Sequence, residues 1–327
     1  MINHGPPAFA FLFRASHWLG WIGLCAVLAG VAVAQAPPRP SELSSARPVT
    51  DEEPITPIPP PPAADPLKLA LGERLFSDPR LSVDGKLSCS SCHDLRINGA
   101  RGSAAHRGAS PFDTPTIFNA SLNFRLNWEG NFRSLSAQVE SSLENPVNLR
   151  TSVDEVVRKL NADAGVVRDF RAAYGRPPDR DNFLDALVTF ERSLLTPGSR
   201  FDRWLGGDKS ALSAEELEGY RLFKSFGCIS CHQGVNVGGN LFERQGVFRP
   251  LVAGPPETVR VPSLRNVAAT APYFHDGGAA TLEIAVKRMA ASQLDRTLTD
   301  QQVTSLVAFL QTLTGNFRGS PVVGAAP

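Results

Sequence analysis

Apolar residues recur at helical spacing through most of the chain, and runs alternating as strands do are few. Asp65-Pro66 predicts a helix start, an N-cap with proline at the first helical position, and Leu67, Ala70, Leu71 and Leu75 give its apolar stripe. Ser213-Ala-Glu-Glu216 reads as a capping box ahead of Leu217, Tyr220 and Phe223, with Gly227 as the stop. Helices are also expected from Val153 to Leu160 and from Asp181 to Leu195, where Leu184, Leu187 and Val188 keep the period. Another begins at Thr281 and carries Leu282, Ala285, Val286 and Met289 on one face. The last opens with the capping box Thr299-Asp-Gln-Gln302, runs through Val303, Leu306, Val307, Leu310 and Leu313, and closes at Gly315. The expected fold class is mainly α with long loops.

A short signature repeats within this pattern: Gly72-Glu-Arg-Leu-Phe76 and Gly219-Tyr-Arg-Leu-Phe223. Two helices with one five-residue pattern point to two domains from one ancestor.

The first stretch has a different period. Trp18 to Ala34 is uncharged and apolar, follows Arg14 and ends in Ala32-Val33-Ala34, a small-x-small site; it is an export signal or, uncleaved, a membrane anchor. Cys25 is a small hydrophobe within it. From Pro37 to Pro62, ten of 26 residues are proline, which reads as an extended linker. The domain plan is residues 1–34 signal or anchor, 35–64 Pro-rich linker, 65–210 N-terminal domain and 211–320 C-terminal domain.

At 327 residues the chain holds two modest domains, each with its own core. A formal charge of +1 gives no case for nucleic acid.

Each expected domain carries one chemical motif: Cys89-Ser-Ser-Cys92-His93 and Cys228-Ile-Ser-Cys231-His232. In C-x-x-C-H two thiols add across the vinyl groups of a haem and the histidine ligates its iron. Zinc needs four ligands and a redox dithiol has no use for the histidine, so two covalently bound c-type haems are the better reading. The two domains are then cytochrome c-like, with haem filling space that side chains fill elsewhere. Haem of this type is attached outside the cytoplasm, in accord with export to the periplasm.

The residue at the sixth iron position separates electron transfer from chemistry. Outside the leader and the motifs, the candidates are His106, His275 and Met289. Met289 points inward on its helix, downstream of the second motif; a His232/Met289 haem has a high potential and no open site. His106 sits in a glycine-rich polar loop, where it either covers the first haem as a displaceable ligand or leaves it always open.

The sequence resembles the bacterial di-haem cytochrome c peroxidase family, which includes MauG-type enzymes that oxidise a protein substrate. Matching residues run from Leu69 to Gly315 and include both haem motifs, Asp113-Thr-Pro-Thr116 with Asn119, Trp128-Glu-Gly130, Asn145-Pro146, Phe190-Glu-Arg192, Ser199-Arg-Phe-Asp202, Val261-Pro-Ser-Leu-Arg-Asn266 and Ala271-Pro-Tyr-Phe-His-Asp-Gly277. The resemblance implies Met289 as sixth ligand of the electron-transfer haem, His106 as the displaceable ligand of the peroxidatic haem, and Trp128 as the tryptophan between them. It also implies one calcium held by Asp113, Thr270 and Pro272, with side-chain and backbone oxygens suited to a hard cation. Arg260 and Arg265 are candidate propionate partners, and His275 a further cofactor-binding candidate.

One departure stands out. Where the family has a glutamate two residues after Asn-Pro, this chain has Asn148, whose amide hydrogen-bonds but does not shuttle a proton. Glu144 and Glu129 lie nearby in sequence, with no derivable role. Three readings follow. In the first, a small c-type cytochrome or cupredoxin reduces the His232/Met289 centre, electrons pass by way of Trp128, and hydrogen peroxide is reduced at the His93 centre. The second is a MauG-like oxidase of a protein or organic substrate, and the third a non-catalytic di-haem carrier locked by His106. Peroxide reduction is favoured because the framework for haems, calcium and donor is retained. A homodimer is open.

Overall fold

The computed structural model describes residues 53–100 and 112–324. His106, the leader and residues 35–52 of the expected linker lie outside the described residues.

Helix α1 (Pro66–Phe76) starts where the Asp65 carboxylate accepts from the backbone N–H groups of Leu67 and Lys68, satisfying donors that a helix start leaves unpaired. With α2 (Leu135–Glu144), α3 (Val153–Asn161), α4 (Ala164–Tyr174) and α5 (Arg180–Ser193) it builds the first lobe. The second holds α6 (Arg200–Leu205), α7 (Ala214–Ser225), α8 (Leu282–Leu294) and α9 (Asp300–Gln311). The capping boxes at Ser213/Glu216 and Thr299/Gln302 form as expected. Among the described residues, strand is confined to two short antiparallel pairs, β1 (Phe242–Arg244) with β2 (Thr258–Arg260), and β3 (Asn316–Phe317) with β4 (Ser320–Pro321). Each lobe has its own core, one around Leu75, Phe170, Phe183 and Leu187, the other around Phe201, Tyr220, Leu306 and Phe309.

The internal repeat is visible in the packing. A Cβ on Gly72 would lie 2.1 Å from the Ala186 carbonyl oxygen and 2.8 Å from Phe190 Cβ; one on Gly219 would lie 1.9 Å from the Ser305 oxygen and 2.9 Å from Phe309 Cβ. Both glycines let α1 cross α5, and α7 cross α9, at backbone contact, and no larger residue fits. A second pair of equivalent residues meets at the join of the lobes. Asn119 and Asn266, both left-handed with φ 60° and 61°, donate from their amides to the Thr196 hydroxyl at 2.8 and 3.0 Å. Their carbonyl oxygens accept from Thr196 N and Gly315 N, each at 2.9 Å.

Three expectations change. The last helix ends at Gln311 rather than near Gly315, because the chain tightens into i→i+3 bonds (Thr312 N to Phe309 O, 2.9 Å) and Gly315 is pressed against the Thr196 carbonyl. Helices α2 and α4 were not foreseen; α4 opens with Ala164-Gly165, a weak start rescued by the Asp163 cap. Residues 53–62, expected as linker, are extended but seated on the second lobe. Ile55 and Ile58 are buried, Pro54 O accepts from Gly234 N at 2.8 Å, Thr56 O accepts from Arg265 at 2.7 Å, and Glu53 receives the Tyr220 hydroxyl at 2.5 Å. Two isoleucines among prolines supply the apolar anchor.

Candidate haem centres

Each Cys-x-x-Cys-His begins in a short 3₁₀ turn, Cys89–Ser91 or Cys228–Ser230, and the histidine backbone N–H closes onto the first cysteine's carbonyl at 2.9 or 3.0 Å. His93 Nδ1 lies 3.0 Å from Gly99 O, and His232 Nδ1 3.2 Å from Val237 O. A ring whose Nδ1–H donates to a carbonyl presents a bare Nε2, the form that binds metal. Burial reinforces this by pushing the His232 imidazole down to about 4 and His93 below its ordinary value, so both are neutral at pH 7.

The second motif opens on a cavity of about 280 Å³ lined by Cys228, Cys231, His232, Leu282, Val286, Met289, Leu306 and Leu310. A flat apolar macrocycle fits this wall, with imidazole and thioether in the same cavity. Arg260 is buried in its lining with only backbone acceptors, Asn127 O at 3.2 Å and Val261 O at 3.4 Å; burial pushes its guanidinium down to about 10. A buried cation with no carboxylate beside it among the described residues fits a group bearing propionates.

The cavity extends toward the first lobe, where Asp113, Trp128, Thr270, Pro272 and His275 line it. Trp128 Nε1 donates to Asp113 O at 2.9 Å, Trp128 O accepts from Arg260 N at 2.9 Å, and His275 stacks edge-on against Trp128 and Phe112, with centroids 6.1 and 5.2 Å apart. Asp113 N donates to His275 O at 2.7 Å. Among the described residues no group of three His, Cys, Asp or Glu side chains gathers for a metal ion.

Arg265 is held by protein groups. Its three nitrogens reach Val235 O, Asp202 Oδ1 and Thr56 O at 2.8, 2.7 and 2.7 Å, so it pins the 53–62 segment and α6 to the second lobe. Asn148 is exposed, in a turn where its N–H donates to Asn145 O at 3.0 Å. Glu144, the last residue of α2, and Glu129, which accepts from Asn131, are also exposed.

The repeat reveals residues the sequence reading missed. One sequence offset separates Asn119 from Asn266, the bridge Leu126–Phe132 from Tyr273–Ala279, Gly130 from Gly277, and the N-caps Ser134 and Thr281. The same offset lays α2 on α8, Trp128 on His275 and Ser142 on Met289. The first lobe thus has a hydroxyl where the second has a thioether. Gln138, one turn earlier, donates to Ser142 Oγ at 2.8 Å and toward Asn127 Oδ1 at 3.4 Å.

Two helical lobes, each built on a Cys-x-x-Cys-His turn and joined through one wall, define a di-haem c-type oxidoreductase. The di-haem cytochrome c peroxidase family model matches residues 66–210 and a cytochrome c model residues 217–314. The chain is 40% identical to cytochrome c551 peroxidase of Nitrosomonas europaea over 84% of its length and 87% of that protein. It is 33% identical to the methylamine utilization protein MauG of Methylorubrum extorquens, over 78% and 81%. A crystal structure of a MauG-like protein associated with microbial copper homeostasis is similar with a TM-score of 0.65 at 29% identity, covering 79% of this chain and 93% of that one. The chain belongs to the di-haem cytochrome c peroxidase family and carries haem c.

Proposed function

We propose that the protein reduces hydrogen peroxide to water, with electrons from a small periplasmic c-type cytochrome or cupredoxin entering at the His232/Met289 centre and peroxide reacting at the His93 centre. One observation carries this: the lobes share a backbone frame, yet Met289 of the second has Ser142 as its counterpart in the first. Bound haem supplies electron transfer at both centres and peroxide cleavage where an iron position is free. Met289 closes the second centre, while Gln138 and Ser142 offer the first an amide and a hydroxyl, which hydrogen-bond a peroxide and are poor iron ligands. Trp128 joins the centres through Asp113 and Arg260, and Arg260 holds a propionate. Asp113, Thr270 and Pro272, on one wall, provide oxygens for calcium. His106 is the displaceable ligand of the first iron. The leader exports the protein to the periplasm, cleaved or retained as a tether.

Asn148 favours a second reading, MauG-like oxidation of a protein or organic substrate, because a turn without a carboxylate delivers no proton to a leaving oxygen. Stopped-flow mixing of peroxide with the half-reduced, calcium-loaded protein and a reduced small cytochrome tests both. Rapid donor-linked peroxide loss supports peroxidase function. A persistent oxidised state that decays only with a protein or organic substrate overturns it for the oxidase, and no reaction overturns it for a carrier.

A further inference from the structure

Glu191 has no role in the scheme above, although its carboxyl is among the most buried in the described residues. The residue is 5% exposed and its Oε2 has no hydrogen-bond partner among the described residues. Its place follows from the repeat. The crossing glycines set Ala186 and Phe190 against Ser305 and Phe309, and the chain continues in the same register, since Leu194 O and Leu313 O accept from Asn119 N and Asn266 N. Glu191 is therefore the counterpart of Leu310, which lines the second haem cavity beside Cys228. The electrostatics on the first side agree with this placement. Burial, and next to it the Glu191 carboxylate, push the Cys89 thiol up to about 12; that thiol stands in for the thioether of the mature centre.

Among the described residues, the charged groups on the elements packed against it are paired or exposed. On α1, Lys68, Glu73 and Arg74 pair with Asp185, Arg318 and Asp169. On α2, Glu140 pairs with Arg180 and Glu144 is exposed; on α3, Glu155 pairs with Arg158, Lys159 donates to Ser82 O, and Asp154 is exposed. The 3₁₀ turn Ala120–Leu122 has no charge, and the motif turn contributes Cys89, Cys92 and His93. On α5 itself Arg180 and Asp185 are paired as above, and Asp181 and Arg192 are exposed. Burial alone raises the Glu191 carboxyl to about 8.

We infer that Glu191 is the redox-linked proton site of the first haem centre: it takes up one proton from water for the one electron that arrives there and releases it on oxidation. This rests on the two-haem reading and not on peroxide as substrate. An ionised carboxylate favours the oxidised centre, so the midpoint potential falls as pH rises while Glu191 titrates; the second centre, with Leu310, shows no such dependence.

Potentiometric titration of each haem from neutral to mildly alkaline pH tests it, without peroxide. In the wild type the first haem's reduction equilibrium should change by up to tenfold per pH unit, about 59 mV for one electron. Glu191→Gln should flatten that slope and leave the second haem unchanged, and Glu191→Leu, which copies Leu310, should do the same. Redox-difference infrared spectroscopy should show a protonated-carboxyl band growing on reduction in the wild type alone. A slope that survives either substitution, a wild type without one, or a missing band overturns the proposal.

Discussion

The two lobes are one design with different linings. Both use a Cys-x-x-Cys-His turn, a histidine tied through Nδ1 to a carbonyl, and a glycine that lets two helices touch. Three of the counterpart positions that differ bear on the haem centres: Ser142 against Met289, Trp128 against His275, and Glu191 against Leu310. Each of the outer two replaces an apolar or sulfur group of the second lobe by an oxygen-bearing one in the first. A closed, apolar centre suits electron transfer and a polar one suits chemistry. On the proposed function, divergence at a few side chains, with the backbone kept, divides the work.

Moving the methionine should disturb this contrast most. Ser142→Met places a thioether in the first lobe, and the expected result is a first haem that stays low-spin in absorption spectra of the half-reduced protein, where His106 would have left the iron, with loss of peroxide turnover. Met289→His should next lower the second haem's potential by on the order of a few tenths of a volt, within the range axial ligands span, as redox titration would show. Asn148→Glu supplies the carboxylate that the family resemblance expects at this position and should raise peroxide turnover by on the order of tenfold to a hundredfold in steady-state assays, the scale of a positioned acid–base group. What the lobes share can be checked too. Gly72→Ala and Gly219→Ala should each cost about 1–3 kcal/mol in denaturant unfolding, because both push a methyl into a facing carbonyl.

Much of this was legible in the chain. Covalent attachment demands a local spacing, so both haem motifs can be read without a fold. Caps at Asp65, Ser213 and Thr299 are likewise local, and the helix carrying Met289 follows from its period. What stayed hidden depends on tertiary pairing. Arg260 and Arg265 are five positions apart and alike in sequence, yet one lines the cavity while the other is held by Asp202 and Thr56 O. Ser142 and Glu191 gain meaning only when the lobes are superposed through Asn119, Asn266 and the crossing glycines, since the sequence repeat covers five residues. An acidic residue directly after the apolar stripe of α5, where α9 has leucine, was the available signal for Glu191. The proline-rich composition of residues 53–62 masked Ile55 and Ile58, whose burial is a long-range contact.

The division of labour is tested most directly by near-infrared magnetic circular dichroism of the oxidised and half-reduced protein, followed by one equivalent of peroxide. The account predicts a methionine-to-ferric-iron band in the oxidised protein that vanishes with the first electron, and peroxide consumption at the other haem. A band that outlasts the first electron, or peroxide reacting first at the methionine-bearing haem, would contradict it.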